Sequence, residues 1–415
     1  MRKSVLIFLI AGVMGMSGGV FYLNSAESPE RDQNTEQPGE VDVSTNASNT
    51  ENFSGEDEVK LVIDTENGCD DQCLKDTIVK IAQQDGPAKA IEFLTEQMKT
   101  NEDLGVQCHE ILHSVGYAVA ADGKNDYVSP NCAGAYVHGY LQGRAGQAED
   151  LRAFVSEATA FCDKFKWDKS ELEWENQQVL CTHGYGHAIA GVIGDNLEQA
   201  LKGCGYTGDD SLAATCTWGV MMEYMKGELV AQGWYTKNDK AVGEFTAKGA
   251  YDKDLDIVKV CKNAPVWALP GCYGTMPLIL GPSIKQDLGQ YNQYCEAAPG
   301  DYLVQNCFTG VGSWVVELGM GGGGAYQNIW PPKDEAEATT IAKWLAEKCS
   351  LVQKTGDCVY GAVNASMHHL HEAGFPRERI PNVCLYIKET EQERCRAGYE
   401  MFGVWEKESD KEAAS

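Results

Sequence analysis

The sequence predicts an all-α protein, an array of disulfide-stapled helical hairpins forming an α-solenoid or an α/α toroid. Three observations carry that expectation. The 415 residues contain 16 cysteines, an even and high number. The phrase Cys-x-x-Gly recurs at Cys181, Cys216, Cys307, Cys358 and Cys395, with one-residue-short versions at Cys132 and Cys272, and each opens an apolar run of helical length. Each of these cysteines also follows another one that closes a helix-like run, as at Cys295 and Cys349.

From the N-terminus, Met1-Arg2-Lys3 is a basic start, and Ser4 to Leu23 is an uncharged, mostly apolar stretch. Residues 1–26 therefore read as a secretory signal peptide or a signal anchor, with 4–23 long enough to span a bilayer. The basic start would stay inside and the remainder would be extracytoplasmic: periplasmic, cell-surface or secreted. Residues 27–58 are rich in Asp and Glu, with Arg31 the lone basic residue and Phe53 the lone aromatic. A segment that buries so little apolar surface does not offset its ordering entropy, so it reads as a disordered acidic tether.

Residues 59–415 form the Cys-rich repeat domain. Its first hairpin, Leu74–Gln84 and Pro87–Lys99, lacks clear Cys staples and places Pro87 at a helix start. The following cysteines pair by short offsets: Cys108 with Cys132, Cys162 with Cys181, Cys204 with Cys216, Cys261 with Cys272, Cys295 with Cys307, Cys349 with Cys358, and Cys384 with Cys395. One disulfide across each helix–turn–helix joint is the economical reading. The glycine of each phrase removes a side chain where two helices approach. A period of about 90 residues holding two hairpins lies above this pattern, with copies at about 181–271, 272–357 and 358–415. The spacings lack the close Cys doublets of zinc or iron–sulfur sites, apart from the isolated Cys69 and Cys73. Oxidised cysteines fit an exported protein and leave no thiol nucleophile. The Gly321–Gly324 run has no Lys-Ser/Thr after it and is not a phosphate loop.

A net charge of −27 and a pI near 4.6 argue against nucleic acid and against docking on anionic lipid. The eight histidines are concentrated instead. His109 and His113, and again His183 and His187, stand four apart, so each pair shares one helix face. His138 follows Cys132 at the offset by which His187 follows Cys181. The repeat acts as its own control: the slots of His183 and His187 hold Gly274 and Leu278 in one later copy, and Tyr360 and Asn364 in the other. The hairpin needs its Cys and Gly, not its His. These five histidines are therefore the candidate ligands of a transition metal ion, zinc or copper foremost and iron or nickel allowed. His368, His371 and Glu372 form a second, weaker candidate. Met221, Met222 and Met225, and likewise Glu223, Glu317 and Glu400, lie in the Cys-x-x-Gly helices; the methionines read as core filling.

The stretch His109-Glu110-Ile111-Leu112-His113 has the His-Glu-x-x-His form and resembles the zinc-binding helix of the zinc metallopeptidases. It continues to Gly116 as the longer metzincin pattern does, then departs where Val119 stands at the third-ligand position. The resemblance implies zinc on His109 and His113, with Glu110 as the catalytic general base; the motif names no third ligand here, and His138 is a candidate substitute for it. It covers His109 to Gly116 alone; the rest of the chain does not look like a peptidase. Three functions stay open at this point. The first is an extracytoplasmic metal-binding repeat protein, the second a zinc-dependent hydrolase or peptidase using Glu110. The third is a helical-repeat scaffold without chemistry, binding an envelope protein, a peptide or a glycan.

Overall fold

The computed structural model describes residues 71–99, 102–122, 131–165, 177–231, 250–284, 287–320, 325, 327–370 and 375–400. The expected leader or anchor, the acidic tether, Cys69, the 321–324 glycines, His371 and Glu372 lie outside the described residues. So do the side chains of His368 and His369, whose backbone forms the last turn of a helix.

Among the described residues the secondary structure is helical throughout, with no strand. The helices are α1 (Asp71–Asp85), α2 (Pro87–Met98), α3 (Glu102–Val119), α4 (Asn131–Ala145), α5 (Leu151–Cys162), α6 (Gln177–Ile193), α7 (Leu197–Cys204), α8 (Asp210–Ala231), α9 (Ile257–Asn263), α10 (Leu269–Ile284), α11 (Gln290–Glu296), α12 (Asp301–Met320), α13 (Glu335–Cys349), α14 (Thr355–Leu370) and α15 (Glu389–Glu400). The hairpin expected at 74–99 is present as α1 and α2. Pro87 opens α2, where its missing N–H has no helical partner to lose, and Gly86 (φ +93°) makes the joint.

Two kinds of helix alternate. Helices α6, α8, α10 and α12 are buried on nearly every side, and each packs on the next. The same succession runs from α3 through α4 to α6, and from α12 through α14 to α15. Shorter helices α5, α7, α9, α11 and α13 each pack against the buried helix that follows. Asp150, Asn196, Asp256 and Asp334 start four of them by accepting a backbone N–H three residues on, a cap worth about 1 kcal/mol.

All seven expected cysteine pairs are disulfides: 108–132, 162–181, 204–216, 261–272, 295–307, 349–358 and 384–395. Such a density belongs to an oxidising, extracytoplasmic environment. Cys73 is disulfide-bonded as well, and no described cysteine is free.

The glycines act where helices touch. A Cβ on Gly139 would collide with the carbonyl oxygen of His113, one on Gly219 with that of His183, and one on Gly186 with that of Cys216. Backbones in direct contact let side chains on neighbouring helices converge over a short reach. One apolar core holds α1 to α3 with Ala135 and Tyr136, and a larger one takes in Ala120 and runs from Val137 to Tyr399. Helix α4 passes from the first to the second between Tyr136 and Val137, and His138 stands at that junction. Met221, Met222 and Met225 belong to the larger core, as expected of core filling. No helix among the described residues is long and apolar enough to cross a membrane.

Candidate metal centre

Three helices packed in succession bring the five histidines together. His109 and His113 come from α3, His138 from α4, and His183 and His187 from α6. The two His-x-x-x-His helices are joined through α4, which packs on both. His138 is the hub: its ring centroid lies 5.5 Å from His109, 5.0 Å from His183 and 4.7 Å from His187. His183 and His187 are 4.8 Å apart, and His109 and His113 6.2 Å. One ligand nitrogen from each of His138, His183 and His187 lies within 4.8 Å of the others, which is close enough for the three to hold one metal ion.

Local sequence explains the convergence. In His183-Gly184-Tyr185-Gly186-His187 both imidazoles lie on one face. A Cβ on Gly184 would stand 3.0 Å from His138 Cδ2 and 3.2 Å from its Cα, so glycine there admits His138 between the two helices. This is the physical reason that the second His-x-x-x-His lacks the Glu of the first.

The hydrogen bonds orient the rings. His187 Nδ1 donates to Glu223 Oε1 on α8 at 2.6 Å. The same oxygen accepts from Lys226 Nζ at 3.4 Å and Gln142 Nε2 at 3.3 Å. His109 Nδ1 donates to the carbonyl of Cys132 at 2.9 Å. The Nε2 atoms of His183 and His187 face each other at 3.1 Å. The ionised Glu223 places the His187 proton on Nδ1, and a backbone hydrogen bond with Thr215 partly offsets the effect of burial on His183. With its proton on Nδ1, His187 directs its Nε2 lone pair at His183 Nε2. Two nitrogens on one tetrahedral zinc, at about 2.0–2.1 Å each, stand about 3.3 Å apart. His109 Nε2, His113 Nε2 and both ring nitrogens of His138 are buried with no hydrogen-bond partner in the protein.

The electrostatics favour neutral imidazoles. Burial is the main cause and pushes His109, His138 and His183 well below the usual range, His187 down, and His113 down to about 3. The Lys226 ammonium adds to this at His109, His113, His183 and His187. Burial alone would raise the Glu223 carboxyl, but Lys226 and the His187 hydrogen bond outweigh it and hold the group ionised below the carboxylate range. Lys226 is buried too, yet Glu223 and Glu110 keep its pKa raised. Neutral imidazoles with one nitrogen tied to a carboxylate or carbonyl, and the other turned inward, are the form in which histidine binds metal.

The sequence pattern singles out all five histidines; His138, His183 and His187 come within reach of one ion, with His109 beside His138 and His113 beside His109. It leaves Glu223 unranked and misses Lys226 and Gln142. The signal for Lys226 is a lone lysine, three residues from a glutamate, within the buried run Ala213–Leu229. Glu317 is buried on α12, and Glu400 is exposed on α15. No family model, curated protein or solved structure matches the chain. The class defined by fold and site is therefore an all-α, disulfide-rich protein with a buried histidine cluster able to hold a metal ion.

Proposed function

We propose that this is an extracytoplasmic metal-binding protein, a stacked array of disulfide-stapled helical hairpins whose histidine cluster holds a transition metal ion. The hairpin succession, with two hairpins per repeat of about 90 residues, supplies a rigid frame as in α-solenoids or α/α toroids. His138, His183 and His187 are the primary ligands, with His109 and His113 extending the set. Zinc, copper and iron suit imidazole donors.

One observation carries this reading. Four buried ring nitrogens, on His109, His113 and His138, lack any protein partner beside the opposed Nε2 pair of His183 and His187. Each unsatisfied buried polar atom costs about 1–3 kcal/mol, and a cation at the centre would relieve several at once. A structural role alone would leave that cost in place.

The test is elemental analysis of protein made through an oxidising secretory route and purified without chelator or affinity metal, run beside His138→Ala and His113→Ala. Near one equivalent of a single metal, lost in His138→Ala, supports the reading. Less than about a tenth of an equivalent after loading and desalting would sink it.

A second reading keeps the zinc hydrolase. Glu110 lies on the His109 helix close enough to act on the Lys226 charge. Under that reading Glu110→Gln abolishes peptidase turnover while the metal content stays unchanged; under simple binding Glu110→Gln has no activity to abolish.

A further inference from the structure

The geometry points to a specific cargo: the cluster selects a monovalent d10 cation, Cu(I), over divalent ions such as Zn(II). This inference rests on the metal-binding reading above and adds the charge and class of the ion.

Charge in a buried place sets the preference. His138, His183 and His187 are fully buried, and so are Glu223 and Lys226 beside them. The three primary donors are neutral imidazoles. All described cysteines are in disulfides, so none of them offers the ion a thiolate. The carboxylate in contact with the cluster is already committed, because Glu223 Oε1 accepts from His187, Lys226 and Gln142. The buried formal charges beside the ligands are then Glu223, −1, and Lys226, +1, an ion pair that sums to zero. A +1 ion leaves one uncompensated positive charge in the interior, whereas a +2 ion leaves two.

The penalty for burying an ion rises with the square of its charge, so a divalent ion faces about four times the desolvation of a monovalent one. Lys226 repels it twice as strongly. Buried zinc sites offset this with thiolate or carboxylate ligands, or with hydroxide at an open position; the His138, His183 and His187 set offers neither thiolate nor carboxylate. Cu(I), with a filled d shell, is satisfied by two or three nitrogen donors and needs no hydroxide. The opposed Nε2 atoms of His183 and His187, with His138 alongside, supply that number.

The experiment uses the full exported chain, oxidised and free of thiol reductant. Cu(I) is supplied anaerobically as its acetonitrile complex and competed with a chromophoric Cu(I) chelator. Ag(I) serves as a redox-inert monovalent check, and Zn(II) is competed with a zinc indicator. One equivalent of Cu(I) and of Ag(I) is expected, held at least 100-fold more tightly than Zn(II). Lys226→Met removes a repelling charge and should narrow that preference at least 10-fold by strengthening Zn(II). Should that variant fail to fold, the wild-type ratio decides alone. Zn(II) binding as tightly as Cu(I), or more tightly, overturns the selectivity and leaves the metal site standing. Retention of none of the three ions overturns the metal reading itself.

Discussion

His187 Nδ1 donates to Glu223 Oε1 at 2.6 Å across the contact between α6 and α8. That bond fixes the tautomer and leaves the His187 Nε2 lone pair directed at His183. Carboxylates that orient a ligand histidine in this way affect metal affinity about 10–100-fold. Glu223→Gln keeps a hydrogen-bond acceptor but removes the charge, and it should weaken binding by about 10-fold; Glu223→Ala should weaken it toward 100-fold. Competitive titration with a chromophoric chelator measures both, and unchanged affinity in both variants would show that Glu223 does not orient a ligand.

His138 is the position where truncation should matter most. It contacts the rings of His109, His183 and His187, and neither of its nitrogens has a protein partner. His138→Ala should abolish stoichiometric metal while the metal-free protein becomes no less stable, because the change removes two unsatisfied buried nitrogens along with some packing. Thermal melts in chelator, compared with melts in saturating metal, separate the two effects. Wild type should gain about 2.7 kcal/mol at 100 times its dissociation constant, and the variant nothing.

Much of this was legible in the chain, for identifiable reasons. A disulfide across a short joint forces two cysteines to recur at near-constant offset, so the pairs 204–216, 261–272 and 295–307 announce themselves. A backbone contact forces glycine, so Gly184, Gly219, Gly310 and Gly361 stand three after their cysteines. The histidines stand out because Gly274 and Leu278 after Cys272, and Tyr360 and Asn364 after Cys358, stand at the offsets that His183 and His187 hold after Cys181. What the chain hides is tertiary. Nothing local says that α4 lies between α3 and α6, or that Gln142 reaches Glu223 across 81 residues. Glu223 and Lys226, three apart on a helix, look like an ordinary surface ion pair until their burial is seen.

The metal-free protein should lose stability on mild acidification. The folded-state pKa values of the five histidines are lowered, so the unfolded chain takes up protons below about 6.5 while the folded cluster does not. The sign follows: stability present above about pH 6.5 falls as pH falls, and for His113 the fall continues toward about 3. Each such histidine contributes a slope of up to about 1.4 kcal/mol per pH unit. Comparing wild type with His113→Gln between pH 7 and 5 cancels the background of surface carboxylates; the variant should show the shallower slope. Parallel profiles would mean that His113 protonates freely in the folded state.

The disulfides should separate frame from site. Cys295–Cys307 joins α11 to α12 and involves none of the histidine helices. Its loop is short, so replacing both cysteines with serine should cost about 3 kcal/mol, chiefly by freeing the unfolded chain, and leave metal affinity unchanged. Cys108–Cys132 differs, because Cys108 precedes His109 and the Cys132 carbonyl accepts from His109 Nδ1. The matching double serine variant should cost a similar amount of stability and weaken metal binding as well, since the His109 ring loses its fixed acceptor. Chemical denaturation gives the first quantity and chelator competition the second. Equal metal affinity in the two variants would place His109 outside the ligand set, leaving His138, His183 and His187 as the centre.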